Sequence, residues 1–367
     1  MPTVTKVDTS LVAEELRVAI RKDVSLVPGV RPRLIGFLAN NDPAARKYAE
    51  WTGRAAAADG VEYELRECDA LSLEAAVDAA NVDDGVHGIL IYYPVFGAGP
   101  SFFGGSMDDQ LRDRISPEKD VEGLCHKYRT NLYTNVRYLD KWRTSILPCT
   151  PLAVVKCLQH VGVYKQELIG TPNPLTGVVV TVVNRSEIVG RPLGAMLAND
   201  GATVYSVDVG SIYVMERGVT TPTVLDADAA ISRSDVVILG VPSPNYKLAA
   251  SALKPGAVVV NISSFKNLDE NSATADFTHI PLVGRVTVAC LELSLLRLYR
   301  QYHVSPPARR RAGPRKPTAP AQVPRIMRKR RLALLAKAAR AALCVAPFAA
   351  ARRLWRRADG RRPSPPP

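Results

Sequence analysis

Several features are scarce or missing in this sequence, and each absence excludes a class of protein. No apolar run reaches the roughly 18 residues that a membrane-spanning helix needs, and no apolar segment of signal-peptide length follows the first residues. The cysteines are scattered without a C-x-x-C pair, so no metal site is expected and a reducing compartment is favoured. They are Cys68, Cys125, Cys149, Cys157, Cys290 and Cys344. We therefore predict a cytoplasmic protein that does not enter a membrane.

Acidic residues are nearly absent from the C-terminal end. Residues 301–367 hold 18 Lys and Arg against the single acid Asp359, whereas residues 1–300 carry 30 Lys and Arg against 34 Asp and Glu. The formal net charge of +13 therefore belongs to the tail, and the remainder is slightly acidic. Residues 304–367 are predicted to be a disordered Pro/Ala/Arg-rich extension. The alternatives are an incorrectly assigned reading frame, a nuclear address, or a basic segment that binds nucleic acid or an anionic membrane surface.

The pattern that dominates the first half is an alternation of strand-like and helix-like runs. With 367 residues and 47% hydrophobic composition, the chain is long enough for two α/β domains. Asp42 and Pro43 are typical of a helix start, and Gly60 of its end. The other elements predicted in this half are a helix over 11–21 and strands over 34–38, 61–65 and 87–93.

A second block of the same kind begins near Pro148, where Thr150 and Pro151 predict a helix start. Strands are predicted over 178–183, 203–207, 236–239 and 258–262, and a last helix over 286–299. Continuous Val and Ile runs of this kind indicate parallel strands that are covered on both faces. We therefore predict a first domain of residues 1–150 plus 287–303 and a Rossmann-like second domain of residues 151–286.

The loop after the first of these strands, N-R-S-E-I-V-G-R-P, lacks the usual G-x-G-x-x-G and retains only Gly190. Its position before a helix still predicts phosphate binding at the helix N-terminus. The next strand ends at Asp208, where an acid can bind a ribose 2′-hydroxyl and repel the 2′-phosphate of NADP. NAD is thus the predicted cofactor. The alternatives are that Asp208 caps a turn and that Arg185 pairs with a 2′-phosphate.

Five motifs together carry a resemblance. D-P-A-A-R-K-Y (42–48), G-I-L-I-Y-Y-P (88–94), P-E-K-D-V-E-G (117–123), P-C-T-P (148–151) and the N-R-S-E-I-V-G-R-P loop occur in the order found in the methylenetetrahydrofolate dehydrogenase/cyclohydrolase family. Over roughly residues 5–300 the chain resembles that family. The resemblance implies an α/β folate-binding domain that faces the parallel-sheet NAD-binding domain across a cleft. It also implies a folate substrate and a homodimer.

The resemblance implies roles for particular residues. Tyr48 would stack on the folate ring system, while Asp120 and Glu122 would line the pterin pocket, with Glu122 in place of the family's usual Asp. Tyr48, Asp120 and Cys149 are the predicted catalytic residues, although Cys149 has a structural alternative as a small buried side chain. The predicted cofactor-binding residues are Asn184, Arg185, Ser186, Gly190, Asp208, Val209, Val241, Pro242 and Thr287.

Two departures from the family's pattern indicate which reaction is retained. Thr52 stands where the bifunctional enzymes carry the lysine needed for cyclohydrolase, and Tyr92 stands where they carry a supporting glutamine; both are predicted to line the substrate site. Direct hydride transfer needs neither side chain. We therefore expect an NAD-dependent dehydrogenase of one-carbon metabolism that lacks cyclohydrolase activity. The alternatives are a bifunctional enzyme that uses Lys47 or Arg54 as base, and a non-catalytic folate- or nucleotide-binding protein that engages partners through its basic tail.

Overall fold

A computed structural model describes residues 2–26, 31–97, 99–102 and 104–304, so the predicted basic tail lies outside the described residues except for Val304. The helices are α1 (Thr9–Ser25), α2 (Pro43–Asp59), α3 (Leu73–Val82), α4 (Met107–Arg114), α5 (His126–Tyr133), α6 (Cys149–His160), α7 (Gly190–Asn199), α8 (Ala227–Ser232) and α9 (Gly284–Leu298), which continues into a π-helical turn, Tyr299–His303. Short 3-10 turns occupy Gln166–Leu168, Ala250–Ala252 and Glu270–Ser272.

The strands are β1 (Val4–Lys6), β2 (Arg33–Leu38), β3 (Glu62–Glu67), β4 (Gly88–Ile91), β5 (Val179–Val183), β6 (Thr203–Asp208), β7 (Ser211–Glu216), β8 (Val219–Pro222), β9 (Val236–Leu239), β10 (Leu248–Ala249), β11 (Val258–Asn261), β12 (Leu268–Asp269) and β13 (Phe277–Ile280). They form a parallel sheet in the order β3-β2-β4, a larger sheet in the order β1-β13-β11-β9-β5-β6-β7-β8, and the short pair β10-β12. The predicted two-domain α/β architecture is thus confirmed.

Helix α2 begins and ends where the sequence predicts. The Asp42 carboxylate accepts the Ala44 N–H at 2.9 Å, Pro43 occupies the first turn, and Gly60 closes the helix in the left-handed region with φ 81°. An aspartate at this position satisfies one of the N–H groups that a helix start leaves unpaired, and a left-handed residue is most easily a glycine. These local signals fix the helix that carries Tyr48 and Thr52.

The larger sheet is parallel from β1 to β6 and ends in an antiparallel hairpin, β7-β8, which the sequence patterns did not predict. Its central strands are buried on both faces, as Val180, Val182 and Val259 illustrate with no exposed area. Strand β1 pairs with β13, so residues 4–6 belong to this sheet, although the sequence placed them with the first domain.

Helix α6 starts earlier than predicted. It begins at Cys149 with Pro148 as the preceding residue, so Thr150 does not cap it. Pro151 is tolerated as the third helical residue because the N–H groups of the first turn have no partner within the helix, so the missing N–H breaks no bond. This shift places Cys149 in the first turn, beside the cleft.

Helix α9 packs against α1, α2 and α6 and joins the first domain to the second. Most of its side chains are buried, including Cys290, Leu291 and Leu295. No helix among the described residues is both long enough and apolar enough to cross a membrane.

Candidate active site

A cavity of about 550 Å³ lies in the cleft between the two sheets. It opens where the parallel strands β4 and β11 end and where the loop after β5 turns into α7. Ligand sites of α/β proteins occur at such carboxyl ends. The lining residues are Asp42, Ala44, Ala45, Tyr48, Leu90, Ile91, Tyr92, Tyr93, Glu122, Leu124, Pro148, Cys149, Thr150, Ile188, Val189, Ile262, Ser264, Thr287 and Leu291.

Tyr48 and Tyr92 form the aromatic part of this wall. Their ring centroids are 5.9 Å apart with an interplanar angle of 80°, which is a favourable edge-to-face arrangement. Thr52, one helical turn after Tyr48, is fully buried and does not reach the cavity surface. Its hydroxyl donates its only proton to the Tyr48 carbonyl at 2.9 Å. The threonine therefore supports the wall from behind.

The two acids of P-E-K-D-V-E-G occupy different environments. Asp120 is 1% exposed and does not line the cavity; its carboxylate accepts the backbone N–H groups of Glu122, Gly123 and Cys125 at 3.1, 2.9 and 2.8 Å. Burial raises the pKa of Asp120, and these donors oppose the change. Asp120 thus holds the turn that carries Glu122.

Glu122 lines the cavity directly. Burial raises the pKa of its carboxyl to about 8, the neighbouring Asp120 charge adds to the rise, and Arg112 opposes it. Arg112 itself is committed to an ion pair with Asp109 and lies over the Tyr93 ring at 5.0 Å. The cavity therefore contains a carboxyl group that can change its protonation state near neutral pH.

Cys149 also lines the cavity, and its Sγ donates to the Val121 carbonyl at 3.2 Å. It is 5% exposed, and burial raises the pKa of the thiol well above its ordinary value. A thiol in this state packs the wall and is a poor nucleophile at neutral pH. Its catalytic role stays a prediction.

The loop from Asn184 to Gly190 is held from within. Asn184 Nδ2 donates to the Gly240 carbonyl at 2.7 Å, and its Oδ1 accepts the Ser186 N–H and hydroxyl at 2.9 and 2.7 Å. At Gly190 a Cβ atom would lie 2.5 Å from the Asn184 carbonyl carbon, so a larger residue would displace the loop. This close approach explains why one glycine remains in a loop that lacks the others.

Arg185 and Asp208 lie at the far end of this loop. The Arg185 guanidinium donates to the Ser206 hydroxyl and carbonyl at 3.2 and 2.6 Å and to the Ser211 hydroxyl and carbonyl at 2.7 and 2.8 Å. It also lies 4.6 Å from the Tyr213 ring centroid. Asp208 ends β6 and is exposed, and within the described part of the chain its carboxylate accepts only the adjacent Val209 N–H, at 2.8 Å. The carboxylate is thus open to a ligand, whereas the guanidinium is occupied.

The other predicted cofactor residues are spread along the larger sheet. Thr287 lines the cavity, and Val241 follows β9 with its N–H bonded to Asn267 Oδ1 at 2.9 Å. Pro242 and Val209 are exposed. The sequence patterns did not single out Ile262 and Ser264, which line the cavity just after β11. Their position after a buried parallel strand was a signal that could have identified both.

Comparison with known proteins identifies the family of this chain. The family description "Tetrahydrofolate dehydrogenase/cyclohydrolase, catalytic domain" matches residues 7–122, and the corresponding NAD(P)-binding domain matches residues 148–298. The chain belongs to the tetrahydrofolate dehydrogenase/cyclohydrolase family. The 550 Å³ cavity lies between the two parts that this family combines.

Within the tetrahydrofolate dehydrogenase/cyclohydrolase family, two NAD-dependent proteins are more similar to this chain than a bifunctional one is. The Schizosaccharomyces pombe methylenetetrahydrofolate dehydrogenase [NAD(+)] is 46% identical over 300 residues, which are 79% of this chain and 91% of that protein. The Saccharomyces cerevisiae NAD-dependent 5,10-methylenetetrahydrofolate dehydrogenase structure has a TM-score of 0.75 and 44% identity, covering 82% and 98% of the two chains. A bifunctional FolD protein of Bacillus licheniformis is 32% identical over 75% of this chain and 85% of its own length.

Proposed function

We propose that this chain oxidises 5,10-methylenetetrahydrofolate to 5,10-methenyltetrahydrofolate with NAD and does not hydrolyse the product. The observation that carries the proposal is one cavity that joins the Tyr48–Tyr92–Glu122 wall to the loop before α7. The first part presents an aromatic surface and an acid to a pterin, and the second offers backbone to a dinucleotide. NAD supplies the hydride acceptor, and the protein has to align it with the folate methylene carbon.

The residues present fit NAD. Gly190 lets the start of α7 lie close to Asn184 in the loop. The open carboxylate of Asp208 can accept a hydrogen bond from a ribose hydroxyl. The 2′-phosphate of NADP would be repelled by the same carboxylate. Arg185 would not offset this repulsion, because its guanidinium already bonds Ser206 and Ser211. The alternative that Arg185 binds a 2′-phosphate would require it to leave these partners.

The wall near Tyr48 is suited to hydride transfer and unsuited to hydrolysis. Thr52 carries no basic group, and its hydroxyl proton is used by the Tyr48 carbonyl. Lys47 lies over the Trp51 ring at 5.3 Å, and Arg54 Nε donates to the Glu50 carbonyl at 3.4 Å. Neither cation lines the cavity, so neither is placed to activate water there.

Initial rates on methylenetetrahydrofolate test the proposal. Reduced cofactor and methenyl product are followed separately with NAD and with NADP, using the full chain, Asp208→Asn and the exposed-acid control Asp84→Asn. We expect the full chain to prefer NAD and to accumulate methenyl product. Asp208→Asn should lose about 10- to 100-fold in kcat/KM for NAD, the value of a hydrogen bond to a charged group, and should gain with NADP. Absence of cofactor reduction by the full chain would instead favour a non-catalytic binding protein.

The homodimer implied by the resemblance is part of the proposal. Among the described strands, β8 lies at the end of the larger sheet and its residues are exposed; such a strand edge is a surface that another chain can cover. Sedimentation of the purified chain at micromolar concentration should give a mass of two chains, and a monomer would contradict this part.

A further inference from the structure

Two glycines of the first domain lie against the same side chain, Tyr63 on β3. A Cβ at Gly36 on β2 would lie 2.7 Å from the Tyr63 hydroxyl, and a Cβ at Gly53 on α2 would lie 3.0 Å from Tyr63 Cδ1. Neither glycine adopts a positive φ, so the backbone conformation does not demand glycine at either position. The Tyr63 side chain occupies the space beside both glycines, and at Gly36 the Tyr92 ring shares it, with Cε2 2.9 Å from the Cβ position.

Tyr63 reaches the cavity wall through a second tyrosine. Because β2 lies between β3 and β4, the absent side chain at Gly36 lets Tyr63 and Tyr92 meet across the central strand. Their hydroxyl oxygens are 2.8 Å apart. We call this contact the Tyr63–Tyr92 bridge. Tyr92 is 3% exposed and its ring packs edge-to-face against Tyr48, so the bridge connects the partly buried Tyr63 to the surface that faces substrate.

The bridge is neutral under physiological conditions. Burial raises the pKa of both the Tyr63 and Tyr92 phenols above the ordinary value. The two hydroxyls bond each other, and Thr52, whose hydroxyl donates to the Tyr48 carbonyl, is a further side-chain hydrogen-bond partner of Tyr92. The Tyr63 and Tyr92 hydroxyls are therefore not bases that could take a proton from water; the acids that line the same cavity are Asp42 and Glu122.

We propose that Tyr63 is a positioning residue that fixes Tyr92 in the wall, and that the fixed wall keeps water away from the bound methenyl product. The inference rests on the proposed function. Hydrolysis would form a bond from water oxygen to the methenyl carbon, pass one water proton to a base, and break one carbon–nitrogen bond as the leaving nitrogen keeps the electron pair and takes the second proton. A closed wall opposes the first of these events, since excluding water protects reactive products. Tyr63 would thus act on product fate without touching the product.

A product-protection assay on the full chain tests this role. Enzyme and NAD are kept in excess over methylenetetrahydrofolate, so that a single turnover leaves methenyl product bound, and the loss of its absorbance is compared with that of free methenyltetrahydrofolate. The variants are Tyr63→Ala, which empties the space beside Gly36 and Gly53, and Tyr63→Phe, which removes only the hydroxyl. Tyr138→Phe is the matched control, since Tyr138 is 73% exposed and lies outside the cavity.

The expected results separate the two proposals. Bound to wild type or Tyr138→Phe, the product should decay about 10-fold more slowly than free product; with Tyr63→Ala it should decay within about twofold of the free rate, and with Tyr63→Phe at an intermediate rate. Equal protection by wild type and Tyr63→Ala, or no protection by wild type, overturns the role of Tyr63. If Tyr63→Ala does not fold, full protection by Tyr63→Phe overturns it. Failure of wild type to form NADH contradicts the proposed function itself.

Discussion

The protonation state of Glu122 leads to a quantitative prediction about folate binding. With its pKa raised to about 8 in the free protein, the carboxyl is protonated in about nine molecules of ten at pH 7. Reduced pterins present adjacent N–H donors, which bind a carboxylate more strongly than a neutral acid. Binding should therefore expel the proton from Glu122.

The magnitude follows from the pKa. At pH 7 binding should release close to one proton, and ionising the group beforehand costs about 1.4 kcal/mol, or about tenfold in affinity. Because the free-state pKa is the raised one, the dissociation constant should fall by about tenfold per pH unit up to pH 8 and then become constant. The affinity for folate thus rises with pH. If Glu122 bound folate as a neutral acid that donates a hydrogen bond, the affinity would instead fall with pH.

Calorimetric titration with folate in buffers of different ionisation enthalpy measures the released proton. Glu122→Gln should abolish the release and weaken binding at pH 8.5 by about 10- to 100-fold, through loss of a charge-assisted hydrogen bond. The matched control is Glu118→Gln, an exposed acid on the same segment. If wild type releases no proton at pH 7, or if Glu122→Gln releases as much as wild type, the reasoning is refuted.

Three other substitutions test the supporting structure. Gly190→Ala should abolish NAD binding in a fluorescence titration, while Gly284→Ala, where a Cβ meets open space, should leave it unchanged. Glu292 is fully buried with its pKa raised to about 9 by burial and by Asp59, so the folded chain keeps a proton that the unfolded chain releases. The free energy of unfolding of the wild type should therefore fall by about 1.4 kcal/mol per pH unit between pH 5 and pH 8. Urea unfolding of Glu292→Gln should not show this pH dependence. Thr52→Lys should lose about 3–5 kcal/mol of stability by burying an unpaired charge and should gain no hydrolysis; an active, stable hydrolase would contradict the buried placement.

The elements that the sequence predicted well are those with local chemical signals. Asp42 and Gly60 bound α2 because capping depends on neighbouring backbone groups, and β9 was predicted residue for residue from its apolar run. The hairpin β7-β8 was missed because β7 is only partly buried and β8 is exposed, so that β7 depends on pairing with β6 and β8 on pairing with β7. Strand β1 was missed for the same reason, since three residues have no pattern of their own.

The site was predictable to the extent that single motifs specify it. Tyr48, Glu122 and Cys149 line one cavity, and their roles in it stay predictions. Asp120 and Thr52 lie behind the wall instead, because depth below a surface depends on packing between distant segments and leaves no mark in a motif. The place of Tyr63 could not be predicted from the sequence for a similar reason, since Gly36 and Gly53 lie next to it only when β2, α2 and β3 have packed together.

The joining of the two domains by α9 and β1 limits how this enzyme family can recombine. A chimaera with one junction near residue 148 would take α9 away from α1 and α2, against which it packs, and β1 away from β13, with which it pairs. Transplanting the cofactor domain as a working module therefore needs two further junctions. One lies after β1, so that β1 moves with β13, and the other lies before α9, so that α9 stays with α1 and α2. Genetic exchange at a single point would yield chains whose halves come from different parents but whose interface fits neither.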